Sequence, residues 1–295
     1  MGLAATDSAT LQRIAALKHR LEELGWVDGH NLDLAVRGSE SKVDKAESQA
    51  KELVAWNADV LIAHTLIPAL ALRKATTSIP IIFTNVSDPD GAGLVQSVAH
   101  PGGNVTGFSN LEPTIAAKWL QILHEIAPGI TRAAVVYNPE GSPVSAPFAT
   151  AASEAGPQFS LTVLKLPIQR ADELQSTITS FAMESGGALL FPPDIFTAAH
   201  RYLILPLTER YKIPAIYPYR YFVDDGGLIS YGTNPVDSFA QAATYVDRIL
   251  RGANPADLPV QAPTKYELVI NLKAAKSIGL VIPPNVLDLA DDLVQ

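Results

Sequence analysis

The feature that most constrains this chain is a regular alternation of short apolar runs with amphipathic helical stretches. Asp59-Val60-Leu61-Ile62-Ala63-His64 and Ile79-Pro80-Ile81-Ile82-Phe83-Thr84 have the length and composition of parallel strands buried on both faces. Around them, Leu11, Ile14, Leu17, Leu21 and Leu24 recur at helical spacing and are closed by Gly25, and residues 43–56 and 68–76 also read as helices. The alternation of Leu32, Leu34 and Val36 with Asp33 and Ala35 predicts a further strand over residues 31–37. Strand and helix in strict succession specify an α/β fold with a doubly wound parallel sheet.

The rhythm then begins again. Helices are expected at 118–126, 147–155, 171–184 and 200–211, and strands at 132–137, 161–166, 187–191, 213–217 and 228–231. Asn234-Pro235 opens a helix that carries Phe239, Ala242, Ala243, Val246, Ile249 and Leu250 on one face and stops at Gly252. A strand over 266–270 and a helix over 272–278 close the chain. At 295 residues, with 47% hydrophobic and 18% charged side chains, there is material for two cores. A doubly wound unit normally opens on a hydrophobic strand, yet only Leu3-Ala4-Ala5 precedes the first helix. The expectation is a stub strand or a chain shortened at its start.

Several function classes are disfavoured. The net charge of −8, with no basic stripe, argues against a nucleic-acid partner. With no cysteine there is no disulfide, thiolate nucleophile or Cys-ligated zinc. His19, His30, His64, His100, His124 and His200 never fall at close metal-ligand spacing, so no metal site is expected, and no cofactor. No nucleophile elbow, Walker loop or dinucleotide fingerprint is present, and the glycines of Pro101-Gly102-Gly103-Asn104-Val105-Thr106-Gly107 precede a strand rather than a helix. The chain is read as a binder, not an enzyme. No run approaches the ~20 apolar residues of a membrane span. Met1–Asp7 lacks the basic and apolar regions of a secretory signal, which fits a trimmed mature chain or a cytoplasmic one.

In open α/β sheets ligands sit outside the carboxyl ends of the strands, against helix amino ends. That rule selects His64-Thr65, the stretch from Asn85 through Ser87 to Asp88, Ser109-Asn110, Tyr137-Asn138, Asp194 to Thr197 (with Phe196 between them), and Tyr217 to Tyr221. Hydroxyls, amides, carboxylates, one guanidinium and several aromatic rings suit a small polar ligand with an apolar body. Asp88, in Asp88-Pro89-Asp90-Gly91, reads equally as a turn or cap residue. The aromatic cluster Tyr217-Pro218-Tyr219-Arg220-Tyr221-Phe222 reads as a binding wall. Within it Arg220 either grips a carboxylate or braces Asp224 or Asp225.

The chain resembles the ABC-transporter substrate-binding proteins that include the tryptophan/tyrosine-type solute receptors. The resemblance runs over nearly the whole length. It is carried by Leu24-Gly25-Trp26-Val27-Asp28-Gly29-His30-Asn31-Leu32, Ser87-Asp88-Pro89-Asp90-Gly91-Ala92-Gly93-Leu94-Val95, Pro101 to Gly107, Gly226-Gly227-Leu228-Ile229-Ser230-Tyr231-Gly232, and Leu268-Val269-Ile270-Asn271-Leu272-Lys273. It implies a type I periplasmic-binding-protein fold: two Rossmann-like lobes, residues 1–111 with 233–264 and 112–232 with 265–295, joined by a hinge. By the same resemblance Thr65, Ser87 and Asn110 match contact positions of the first lobe, and Tyr137, Asp194, Thr197 and Tyr219, Arg220, Tyr221 those of the second. The function implied is capture of an amino-acid-like or aromatic carboxylate ligand for a membrane ABC permease, in a periplasmic or extracytoplasmic location. Amino-acid binders of the family carry an Asp-Asn-Thr-like triplet where this chain has Asp194-Ile195-Phe196, and an acidic residue near Arg220-Tyr221, which leaves open an aromatic acid or another small carboxylate. The rival readings are a cytoplasmic ligand-sensing module of the same fold and, further off, an enzyme built on two doubly wound lobes.

Overall fold

A computed structural model describes residues 6–40, 42–263 and 265–295. The chain divides into two compact units, residues 1–111 with 234–264 and residues 112–233 with 265–295, and passes from one to the other three times.

The first unit opens with α1 (Ser8–Glu23), capped by Asp7, whose carboxylate accepts the Ala9 N–H at 3.0 Å. Its buried face runs Thr10, Arg13, Leu17, Leu21, so the apolar stripe turns polar toward the helix's amino end. Next come α2 (Val43–Ala55), β1 (Leu61–His64), α3 (Leu66–Ala75), β2 (Ile81–Val86) and β3 (Val105–Ser109). The three strands form one parallel sheet in the order β1-β2-β3. At Gly107 a β-carbon would run into the Phe83 backbone, so glycine is what lets β3 lie against β2. The strand expected over 31–37 does not form. Apart from a single bridge between Asp28 and Leu32 the segment makes no ladder, because no described strand lies beside it. Its leucines, Leu32 and Leu34, nonetheless pack on the core with Leu17, Leu21 and Phe108. The stub expected at Leu3-Ala4-Ala5 lies outside the described residues.

The second unit contains α4 (Ile115–Ile126), β4 (Arg132–Tyr137), α5 (Ala146–Ala155), β5 (Thr162–Pro167), α6 (Ala171–Ala182), β6 (Gly187–Leu190), α7 (Ile195–Ala199), α8 (Arg201–Arg210), β7 (Ala215–Tyr217), α9 (Arg220–Asp224) and β8 (Ile229–Gly232). The chain then returns to the first unit for α10 (Pro235–Leu250), whose buried Phe239, Ala242, Ala243 and Val246 pack with Leu17 and Leu21 of α1. The second unit is completed by β9 (Glu267–Asn271), α11 (Leu272–Ser277), α12 (Pro284–Leu287) and β10 (Asp292–Val294). Its sheet has the order β10-β9-β8-β7-β6-β4-β5, parallel throughout except for the antiparallel pair β8–β9. Trp119 of α4 is almost wholly buried, stacks on Phe148 and donates its indole N–H to the Tyr231 carbonyl at 2.7 Å. Two predominantly parallel sheets with helices between their strands are the α/β architecture that the alternating pattern requires.

Candidate functional site

The carboxyl end of the first unit's sheet is where backbone strain and unpaired polarity coincide. Thr65 follows β1 directly and donates its N–H to the Thr84 carbonyl at 2.9 Å, so strand pairing fixes its position. Its torsions, φ 75° and ψ 168°, lie in a region that is almost exclusively glycine's. Holding a β-branched residue there costs on the order of 1–3 kcal/mol. Despite that cost, Thr65 is buried and its hydroxyl has no hydrogen-bond partner. The residue stands at the amino end of α3 without capping it, and the first turn of α3 holds no acidic side chain. A helix start with unpaired N–H groups and no carboxylate of its own is disposed to receive an anion.

Ser87, one residue past β2, repeats the pattern: it is buried and its hydroxyl is unpaired. Just before it the β2–β3 register shifts between Thr84 and Val86, at Asn85, whose φ is 63°. Such bulges re-aim side chains at strand ends. Asn110 is buried past β3, its N–H donated to the Val86 carbonyl at 3.0 Å. Asp88 is exposed and accepts the Gly91 N–H at 3.0 Å, which is the turn role that Asp88-Pro89-Asp90-Gly91 suggests.

Three buried polar groups of the first unit carried little sequence signal. Thr10 is fully buried on α1 with an unpaired hydroxyl, and Arg13, one turn on, is also buried. His64, at the end of β1, shares a hydrogen bond of 3.0 Å with the Thr84 hydroxyl and meets the Phe239 ring edge-on. Burial, and then the positive charge of Arg13, hold the His64 imidazole well below its ordinary pKa, so it is neutral near pH 7. The signal that was available is the spacing Thr10, Arg13, Leu17, Leu21: two polar residues continuing the buried face of a helix.

In the second unit the selected residues are mostly committed to one another. Asp194 caps α7 and is buried, accepting the Thr197 N–H at 2.9 Å and the Asn138 N–H at 2.6 Å. Its carboxylate thereby ties the loop after β4 to the start of α7. The Ile195 N–H goes to the Ser142 hydroxyl at 2.9 Å, and the Thr197 hydroxyl donates to the Asp194 carbonyl. Burial pushes the Asp194 carboxyl up to about 6, against the opposing pull of these N–H donors. Tyr137 is buried, and Phe196 is half-buried with its ring centroid 4.4 Å from that of His200.

The aromatic cluster is built differently from a solvent-facing wall. Phe191, Tyr217 and Phe222 form a nearly parallel stack, with centroids 5.1 and 4.8 Å apart, and all three are buried. Tyr219 is buried too, and it stacks on half-exposed Tyr221 at 5.5 Å. The residues after β7 are helical, as α9, rather than a loop. That turn carries Arg220 to Asp224 at 3.3 Å and to Asp292 of β10 at 2.7 Å, so its guanidinium is engaged in bracing. Asp225 instead pairs with the buried Arg201, at 2.6 Å. Among the described residues no cluster of histidine and acidic side chains suited to a metal is found.

The family model for ABC transporter substrate-binding proteins matches residues 6–294. The chain belongs to that family. A tyrosine-binding protein of Clostridioides difficile is 26% identical over 261 residues, 88% of this chain and 74% of that protein. Among solved structures, a conserved domain protein from Vibrio cholerae superposes with a TM-score of 0.89 at 30% identity, over 99% of this chain and 97% of the other. A Streptococcus pneumoniae ABC domain, solved in complex with L-Trp, follows at 0.87 and 26% identity, over 99% and 98%. This substrate-binding protein thus shares its fold with an ABC domain solved with L-Trp bound.

Proposed function

We propose that this family member is the solute-capturing receptor of an ABC importer. Its ligand is an aromatic amino acid or a closely similar aromatic carboxylate, held between the two units as they close on it. The observation that carries this reading is Thr65: strained, buried, unpaired at its hydroxyl, and placed at the open amino end of a helix. A fold keeps such strain where the site uses it. The unpaired Ser87 hydroxyl and the buried cation of Arg13 belong to the same unit, and together with the α3 amino end they suit a carboxylate. Half-buried Phe196 and Tyr221 of the second unit offer faces for an aromatic body. The tyrosine-binding and L-Trp-bound relatives support the same class of ligand. Delivery to a membrane permease and an extracytoplasmic location follow from the family role, and no catalytic step is assigned. No helix among the described residues is long and apolar enough to cross a membrane.

Calorimetry with L-tryptophan, L-tyrosine and an aromatic acid lacking the amino group tests the reading. Thr65→Gly and Ser87→Ala each remove one hydroxyl, at ~1.5–3 kcal/mol where the acceptor is charged, so affinity is expected to fall about ten- to a hundredfold. Thr65→Gly should also raise the melting temperature of the ligand-free protein, because glycine occupies those torsions without strain. Unchanged affinity in both variants removes the α3 end from the site.

A further inference from the structure

The two half-buried rings of the second unit, Phe196 and Tyr221, stand on α7 and α9, helices of only five residues each. Helices so short are not stable on their own in water, so other contacts must set where these rings lie. At α7 the Asp194 cap secures the amino end, and His200 backs the Phe196 ring at 4.4 Å. At α9 the buried Phe222 packs face to face on Tyr217. Neither contact joins one helix to the other.

Arg201 does. It opens α8 next to the end of α7, and its side chain is 1% exposed. Its Nη1 donates to the Ala198 carbonyl of α7 at 2.9 Å. Its Nε donates to the carboxylate of Asp225, directly past the end of α9, at 2.6 Å. The same guanidinium lies 5.5 Å from the centre of the Tyr221 ring, within cation–π range. The Tyr202 hydroxyl of α8 accepts from Nη2 at 2.8 Å. A buried charge persists only when it is paired and hydrogen-bonded, and here the partners are spread over α7, α8 and the end of α9. Because the guanidinium is a rigid planar fork, bonds at Nε and Nη1 hold the two short helices in one relation. A lysine would bring the charge but not the fork.

We infer that Arg201 is a positioning residue for ligand recognition: it holds the Phe196 and Tyr221 rings where an aromatic side chain is received, and so sets the preference for aromatic over aliphatic ligands. The inference rests on the receptor role proposed above and adds to it a residue that acts through two others.

The test uses the whole chain with Arg201→Lys, which keeps the charge and loses the fork, and with Asp225→Asn, which weakens the tie to α9 and leaves the one to α7. Hydrogen exchange in the ligand-free proteins reads the two helices separately. The His200 N–H, bonded to the Phe196 carbonyl, reports α7, and the Gly227 N–H, bonded to the Phe222 carbonyl, reports α9. Arg201→Lys should speed exchange at both amides, and Asp225→Asn at Gly227 alone. An aromatic contact is worth roughly two- to tenfold in affinity. In Arg201→Lys, calorimetry should therefore show L-tryptophan binding about tenfold weaker while L-leucine binding changes less than about twofold. A residue serving stability alone would weaken both ligands alike, so equal losses overturn the inference, as does exchange unchanged at both amides. A parent that binds L-tryptophan no better than L-leucine overturns the receptor reading and this inference with it. A parent that prefers L-tryptophan, with the preference intact in Arg201→Lys, overturns this inference alone.

Discussion

At the scale of single residues, Asp194 shows how a strand-end carboxylate can serve the fold itself. Both of its oxygens receive backbone N–H groups, from Asn138 and Thr197, yet burial outweighs those bonds and raises its pKa to about 6. The unfolded chain would titrate this group at about 3.9. Between those values the folded state holds a proton that the unfolded state has released, so this residue's contribution is fully present below about pH 4 and is lost as pH rises through 6. A rise of that size from the unfolded to the folded carboxyl corresponds to roughly 3 kcal/mol. Urea titrations at pH 4.5 and 7.5 should therefore show a loss of stability across the window in the parent that is smaller in Asp194→Asn. The variant should also be less stable at both pH values, because an amide cannot accept both N–H groups. A pH difference identical in the two proteins would place the titration elsewhere. The residue scale is also where sequence was least informative. Arg220 read as a carboxylate grip or as a brace, and its pairing with Asp292 at 2.7 Å depends on the position of β10, which no local pattern announces. The strain at Thr65 is likewise invisible in a sequence, because threonine is ordinary in every other backbone region.

At the scale of elements, legibility followed from how much of the determining information was local. Residues 132–137 were read as a strand from their apolar run, and they are β4 end to end. Asn234-Pro235 marked the start of α10, and the Asn234 side chain does accept the Val236 N–H at 2.9 Å. Asn234→Ala should accordingly cost about 1 kcal/mol, read as a lower urea midpoint at unchanged slope. An unaffected midpoint would mean that the helix is held by its packing on α1 alone. Residues 31–37 carried a strand's alternation and still made no strand, because a ladder belongs to two segments and no described strand lies beside this one. The turn α9 escaped notice for the opposite reason. Its aromatic residues looked too polar in company for a core, but its Phe222 is buried face to face on Tyr217 of β7. β10 is three residues long, with Asp292 and Leu293 exposed, and left no periodicity to read.

At the scale of the whole molecule, two units with separate sheets share one chain that crosses between them three times. Each unit has its own sheet and its own buried residues, so the stability of each can be followed separately. A ligand changes that in a way that depends on how it is held. Binding to the native state stabilises by RT ln(1 + [L]/Kd), about 2.7 kcal/mol at a hundred times Kd. If the grip comes from the first unit alone, through Thr65 and Ser87, only the transition of that unit moves. If both units hold the ligand, as proposed, each must release it to unfold, and both transitions rise together and merge. Calorimetry of the ligand-free protein and of the protein saturated with L-tryptophan, with hydrogen exchange followed on β2 and β6, separates the two cases. Protection gained on both strands, and lost from both in Ser87→Ala at the same ligand concentration, is the result expected of capture between the units. Protection confined to β2 would leave the first unit a binding site and remove the second from it.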